Sequence, residues 1–189
     1  NWSQRGRQLF PYTQSAARRG VSVKVSTAKK NQSVIKITQR NPAASMVEVA
    51  GSARRNPKGD RFNTNLAIAA EATGVPMAVG SQRVMFTTPA SRESFALRKF
   101  APTIPLLGNI GAVQLNCGFN EAHCREAVDI LGGDGLYLHL NPLQEAVQPE
   151  GDVNFAGLST RIREVAQKLD FPVILKEVGA GLHKRDVEA

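Results

Sequence analysis

Acidic residues are almost missing from the first third of this 189-residue sequence, where twelve Lys and Arg stand against Glu48 and Asp60 alone. Residues 61–189 carry twelve basic and fourteen acidic side chains, so the net charge of +8 is the sum of +10 and −2. Cysteine is scarce too. Cys117 and Cys124 are the only two, which excludes a disulfide framework, and no Cys or His pair stands at zinc-ligand spacing. Both read as reduced structural thiols. No apolar run approaches the roughly 18 residues that a helical membrane span needs, so a transmembrane protein is excluded. Asn1 to Arg5 are not followed by an apolar segment of signal-peptide length, and a cytoplasmic location is the expectation.

The basic segment, residues 1–60, reads as an arm. Val21 to Ser26 alternates strictly, Val34 to Thr38 less cleanly, and Ala28 to Gln32 between them suit the turn of a hairpin. Around it, Gln14 to Gly20 and Ala50 to Asp60 are rich in Arg, Ser, Gln, Asn and Gly, and poor order is expected. An excess of ten positive charges suits a patch for nucleic acid or phosphate. It equally suits a solvated tail, since no helix-turn-helix or aromatic stacking platform accompanies the charge.

From Arg61 to Ala189 the text changes character. Short apolar runs at Val75–Val79, Ile104–Leu107, Gly135–Leu140 and Pro172–Val178 read as buried strands. Between them lie amphipathic stretches. Asn154 to Leu169 is the clearest, with Phe155, Leu158, Ile162, Val165, Ala166 and Leu169 on one stripe. Asn120 followed by Glu121 suits the cap and first turn of a helix through Leu131. Strand starts roughly thirty residues apart match the strand–helix unit of a parallel α/β fold. A (β/α) barrel segment and a doubly wound sheet both satisfy this pattern.

In either fold the ligand site collects at the carboxyl ends of the strands, and each strand here ends in polar residues. The first runs into Gly80-Ser81-Gln82-Arg83, the second into Gly108-Asn109-Ile110-Gly111, the third into His139-Leu140-Asn141-Pro142, and the fourth carries Lys176-Glu177. Taken singly, Asn109 suits a turn, Lys176 a rim partner of Glu177, and His139 a satisfied interior histidine. Taken together they suggest one pocket. Arg83, Lys176, His139, Asn109, Asn141 and Gln144 are cationic or amide groups suited to an anionic phosphate ligand, and Glu145 is available for a divalent cation.

Residues 61–183 resemble the type 2, flavin-dependent isopentenyl-diphosphate isomerases. The resemblance is carried by Met77-Ala78-Val79-Gly80-Ser81-Gln82-Arg83, by Gly108-Asn109-Ile110-Gly111-Ala112, by His139-Leu140-Asn141-Pro142-Leu143-Gln144-Glu145 with Gln148-Pro149-Glu150-Gly151-Asp152, and by Val173 to Gly179. It implies a TIM-type barrel holding reduced FMN, with NADPH as the reductant and magnesium assisting the diphosphate. The implied reaction interconverts isopentenyl and dimethylallyl diphosphate, in a full-length homo-oligomer. By the resemblance Ser81, Gln82 and Arg83 form a diphosphate-binding turn, with Ser81 also near the flavin phosphate. Asn109 and Lys176 contact FMN, where a cation would stabilise the anionic reduced ring. His139 and Asn141 hold substrate oxygens, Gln144 lies close to the reacting alkene, and Glu145 is the magnesium ligand. His139 and Gln144 are thus the implied catalytic side chains.

The first sixty residues depart from the family pattern. Gly51-Ser52-Ala53-Arg54-Arg55 stands where a flavin-gripping turn is expected. A full eight-unit barrel takes roughly 250 residues, and about four to five units are readable here, so a partial barrel is the expected fold. Two other readings stay open on these residues: another FMN-dependent TIM-barrel oxidoreductase, and a non-catalytic fragment whose basic arm binds nucleic acid.

Overall fold

The computed structural model describes residues 21–28, 32–39, 47–48, 59–179 and 181–188. Two sheets are present among them. Strands β1 (Val21–Ala28) and β2 (Gln32–Gln39) form an antiparallel hairpin in which Ala28 pairs with Gln32 and Val21 with Gln39. The hairpin is therefore where the alternating pattern places it, while its turn and the segments 14–20 and 50–58 lie outside the described residues.

The second sheet has five parallel strands in chain order: β3 (Val47–Glu48), β4 (Met77–Ala78), β5 (Leu106–Gly111), β6 (Gly135–His139) and β7 (Val173–Lys176). β3 pairs with β4, so the sheet takes one strand from the segment that sequence reading assigns to the arm. The helices are α1 (Gly59–Thr73), α2 (Val84–Thr87), α3 (Glu121–Leu131), α4 (Pro142–Val147), α5 (Leu158–Lys168) and α6 (Lys184–Glu188). Two 3-10 segments, Pro89–Phe95 and Ala112–Asn116, complete the connections.

Strand periodicity divides the side chains between two faces. Met77, Val79, Leu106, Ile110, Leu136 and Leu138 belong to the main core. Helices supply its other side, with Ala67 and Ala70 from α1, Ala127 and Leu131 from α3, and Val165 from α5. The alternate positions Ala78, Leu107, Tyr137 and Ile174 form a separate small cluster. Helices thus pack on one face among the described residues. Crossovers between parallel strands laid down in chain order put them there, since such connections share one hand. A doubly wound sheet reverses its strand order and has helices on both faces, so of the two folds left open by the sequence the structure is compatible with an arc of a (β/α) barrel.

Local chemistry explains where the observed elements depart from the apolar runs. The second strand begins at Leu106 rather than Ile104 because the residues before it are clamped. Arg98 donates from Nη1 to the carbonyls of Ala101 and Ile104, both at 2.9 Å, and Glu71 accepts the N–H groups of Thr103 and Ile104 at 3.1 and 3.2 Å. The same strand runs on to Gly111, which places Asn109 inside it rather than in a turn. Helix α5 starts at Leu158, four residues after the start of the segment read as helical. Asn116 Nδ2 donates to the carbonyls of Asn154 and Ala156 at 2.8 and 3.0 Å, and Gly157 takes φ 63°, a left-handed conformation that glycine adopts without steric cost. Helix α3 is capped as its sequence implies: Asn120 Oδ1 accepts from Ala122 and His123 N–H at 3.1 and 3.4 Å, and Gly132 closes the other end.

Candidate active site

The inner face of the sheet, opposite the helices, builds the site in rows. Neighbouring strands pair Asn109 with Tyr137 and Tyr137 with Ile174. One row nearer the carboxyl ends they pair Gly111 with His139 and His139 with Lys176. Side chains paired this way stand side by side on one face. Gly111 leaves its place in the row open, and a Cβ there would stand 3.3 Å from His139 Nε2. The imidazole therefore lies over the glycine.

Asn109 orients that imidazole. Its Nδ2 donates to the Val79 carbonyl at 2.9 Å, so Oδ1 is the atom facing His139 Nδ1 at 2.7 Å. An amide oxygen only accepts, so Nδ1 must carry the proton. Nε2 is then an acceptor in the neutral ring and a donor in the cation. Lys176, next in the row, donates from Nζ to the Glu177 carbonyl at 3.2 Å.

The loop after β6 is tightly built. Glu145 is buried, with Oε1 accepting from Asn141 Nδ2 at 2.9 Å and Oε2 accepting from the Asp152 N–H at 2.7 Å. Asn141 is 4% exposed, and its Oδ1 has no hydrogen-bond partner. A buried oxygen left so carries a free-energy cost that a donor or cation would relieve. Gln144 projects from the same short helix into solvent. Among the described residues no group of three His, Cys, Asp or Glu is spaced to hold a metal. Magnesium held by Glu145 would take its further oxygens from Asn141 Oδ1 and a ligand, which suits an ion that binds through one or two carboxylates plus phosphates.

Of Ser81, Gln82 and Arg83 in the turn after β4, the structure sends two to the surface and one inward. Ser81 and Arg83 are exposed, with Arg83 Nη1 2.8 Å from Asp152 Oδ2. Gln82 is fully buried. Its Oε1 accepts from the Asn109 N–H at 2.9 Å, and its Nε2 donates to the Ala127 carbonyl at 2.8 Å. This amide is spent on joining β5 to α3, and Gly108 makes room for it, since a Cβ there would stand 2.8 Å from Oε1. The structure thus gathers Asn109, His139 and Lys176 on one face and Asn141 with Glu145 in the next loop, with Ser81, Arg83 and Gln144 at the rim. Gln82 lies among the core groups instead.

Two participants carry no role in the sequence reading. Tyr137 shares a row with Asn109 and is buried. Asp152 touches Arg83, accepts from Gln114 Nε2 at 2.9 Å, and supplies its N–H to Glu145. Its place at the end of the Gln148–Asp152 segment was the available signal. Cys117 lies nearby. Burial, then the charge and hydrogen bond of Asp152, push its thiol above the ordinary range, with Arg83 opposing. Cys124 is buried and pushed up to about 12, chiefly by burial. Neither is an activated thiolate; Cys124 is buried as a structural thiol is, whereas Cys117 is exposed.

No family model matches the chain. Comparison with curated proteins gives related sequences. An isopentenyl-diphosphate delta-isomerase of Paracoccus zeaxanthinifaciens is 60% identical over 128 residues, which are 68% of this chain and 37% of the relative. One from Hydrogenovibrio crunogenus is 54% identical over 127 residues, 67% of this chain and 37% of the relative. One from Deinococcus radiodurans is 48% identical over 132 residues, 70% of this chain and 39% of the relative. The chain spans little more than a third of the length of these relatives. Among the described residues no helix is long and apolar enough to cross a membrane.

Proposed function

We propose that this chain forms part of the active centre of an FMN-dependent isopentenyl-diphosphate delta-isomerase that works in the cytoplasm with magnesium, NADPH serving as reductant. The observation that carries the reading is the 60% identity to a protein of that isomerase name over the C-terminal two-thirds of the chain. That segment holds all the strand ends described above. The flavin-dependent class is favoured by the inner row of Gly111, His139 and Lys176. A cation and an oriented imidazole side by side suit a flat anionic ring and the diphosphate next to it.

The reaction adds a proton to one carbon of the alkene and removes one from another, through a state with positive charge on carbon. Reduced FMN, when bound, supplies a group able to give and take a proton with no net redox change. The chain's own residues do the rest. Asn109 accepts the Nδ1 proton of His139, so that Nε2 faces the substrate and donates to its oxygen when the ring is the imidazolium. Lys176 brings positive charge to the same row, and Arg83 and Ser81 face the diphosphate at the rim. Glu145 and Asn141 would hold magnesium, which neutralises the diphosphate charge. Gln144, on the next turn, reaches the alkene end.

The test is conversion of isopentenyl diphosphate by the purified chain with magnesium, FMN and NADPH, followed as dimethylallyl diphosphate, alongside titration with each diphosphate. Conversion that needs the reductant, and that His139→Ala abolishes, supports the reading. An absence of conversion together with no binding of either diphosphate refutes it.

A further inference from the structure

Three successive strand ends meet at Asp152. Its Oδ2 lies 2.8 Å from Arg83 Nη1, in the turn after β4, and accepts from Gln114 Nε2, in the turn after β5, at 2.9 Å. Its backbone N–H donates to Glu145 Oε2, after β6, at 2.7 Å. The preceding residue must be glycine, because a Cβ on Gly151 would stand 1.8 Å from the Glu145 carbonyl oxygen. Asp152 is therefore held through its backbone N–H and the close packing of Gly151, while the Arg83 side chain it touches is 45% exposed and, among the described residues, takes Asp152 as its ion-pair partner. A long, exposed arginine has many rotamers, and fixing one before a ligand arrives lowers the entropy cost of binding. Its five N–H donors leave several for a ligand after one is given to Asp152.

We infer that Asp152 is a positioning residue that acts through Arg83, aiming the guanidinium at a phosphoryl group and fixing its distance from the Glu145 loop. The ligand class rests on the diphosphate reading above, whereas the geometry does not. Asp152 also places a negative charge beside the anion, which works against binding. Asp152→Ala and Asp152→Asn both remove that charge, but only Asn keeps an acceptor for Arg83 and Gln114. The comparison between these two variants isolates the positioning.

The experiment measures inorganic pyrophosphate affinity by calorimetry on the full chain, for both variants with Arg83 present and with Arg83→Ala. With Arg83 present, Asp152→Ala is expected to bind about 2- to 10-fold more weakly than Asp152→Asn, the range given by freeing one ordered side chain. With Arg83→Ala the two are expected to bind alike. Equal affinities with Arg83 present, or a difference that persists without it, overturn the inference.

If the unaltered chain binds no pyrophosphate, the diphosphate reading fails, and the positioning is then decided by Cys117. Arg83 and Asp152 oppose each other in setting that thiol's acidity, and Cys124 is buried. Arg83→Ala should slow iodoacetamide alkylation of Cys117 at pH 8 in the Asp152→Asn background, and leave it unchanged in the Asp152→Ala background. An equal effect in both backgrounds overturns the inference. Melting temperatures on the same samples show that each variant is folded.

Discussion

Gln82 gives the sharpest test of what holds the site together. Resemblance assigns it to diphosphate binding, yet its amide is fully buried and bonded to the Asn109 N–H and the Ala127 carbonyl. Replacing it by alanine orphans one buried donor and one buried acceptor, each costing about 1–3 kcal/mol, and leaves a void that adds to the loss. The expected destabilisation is roughly 2–6 kcal/mol. For a chain of this size each kcal/mol lowers the melting temperature by about 2–4 °C, so Gln82→Ala should melt at least roughly 4 °C lower. Gly108→Ala, whose Cβ would push on the same amide at 2.8 Å, should move stability in the same direction. The assay is thermal and urea unfolding beside pyrophosphate affinity measured well below the transition. A Gln82→Ala protein that melts as the unaltered chain does, while losing pyrophosphate affinity, would refute the reasoning and return Gln82 to the ligand.

Gly151→Ala should disrupt the Gln148–Asp152 loop, since the new Cβ would meet backbone at 1.8 Å. Loss of the Asp152 N–H to Glu145 bond should cost about 1.5–3 kcal/mol, read by urea unfolding. Glu145→Gln should raise the magnesium concentration needed for diphosphate binding, whereas Gln144→Ala, exposed on the same helix, should lower turnover and leave melting temperature unchanged. Parallel losses in both variants would sink these separate roles. Glu71 titrates below its ordinary value: desolvation acts to raise it, but hydrogen bonds from the Thr103 side chain, the Thr103 N–H and the Ile104 N–H together outweigh that. A carboxylate whose folded-state pKa is lowered adds stability above its unfolded pKa and loses it as pH falls through the folded value. Glu71→Gln should therefore lower stability at neutral pH and shrink the loss seen on acidification, in melts between about pH 7 and pH 3.

Periodicity and capping determined much of this protein locally. The Asn120 and Glu121 signals located α3, and alternation located both strands of the hairpin, because these features depend on residues adjacent in sequence. The polar strand ends were legible for the same reason, as short apolar runs followed by Asn, His or Lys. What the sequence left open was every choice that depends on a distant partner. Whether the sheet winds on one face or both was decided by strand order, which follows from pairing between segments about thirty residues apart. The second strand's start depended on clamps from Arg98 and Glu71, one of them on α1. Gln82 departs from the role that the resemblance implies, and Asp152 takes one that the sequence does not suggest. One is drawn into the interior by a donor and an acceptor 27 and 45 residues away, and the other joins three loops through contacts up to 69 residues apart. A side chain's period shows which face it occupies; which groups wait there to bond it is settled only when the strands pack.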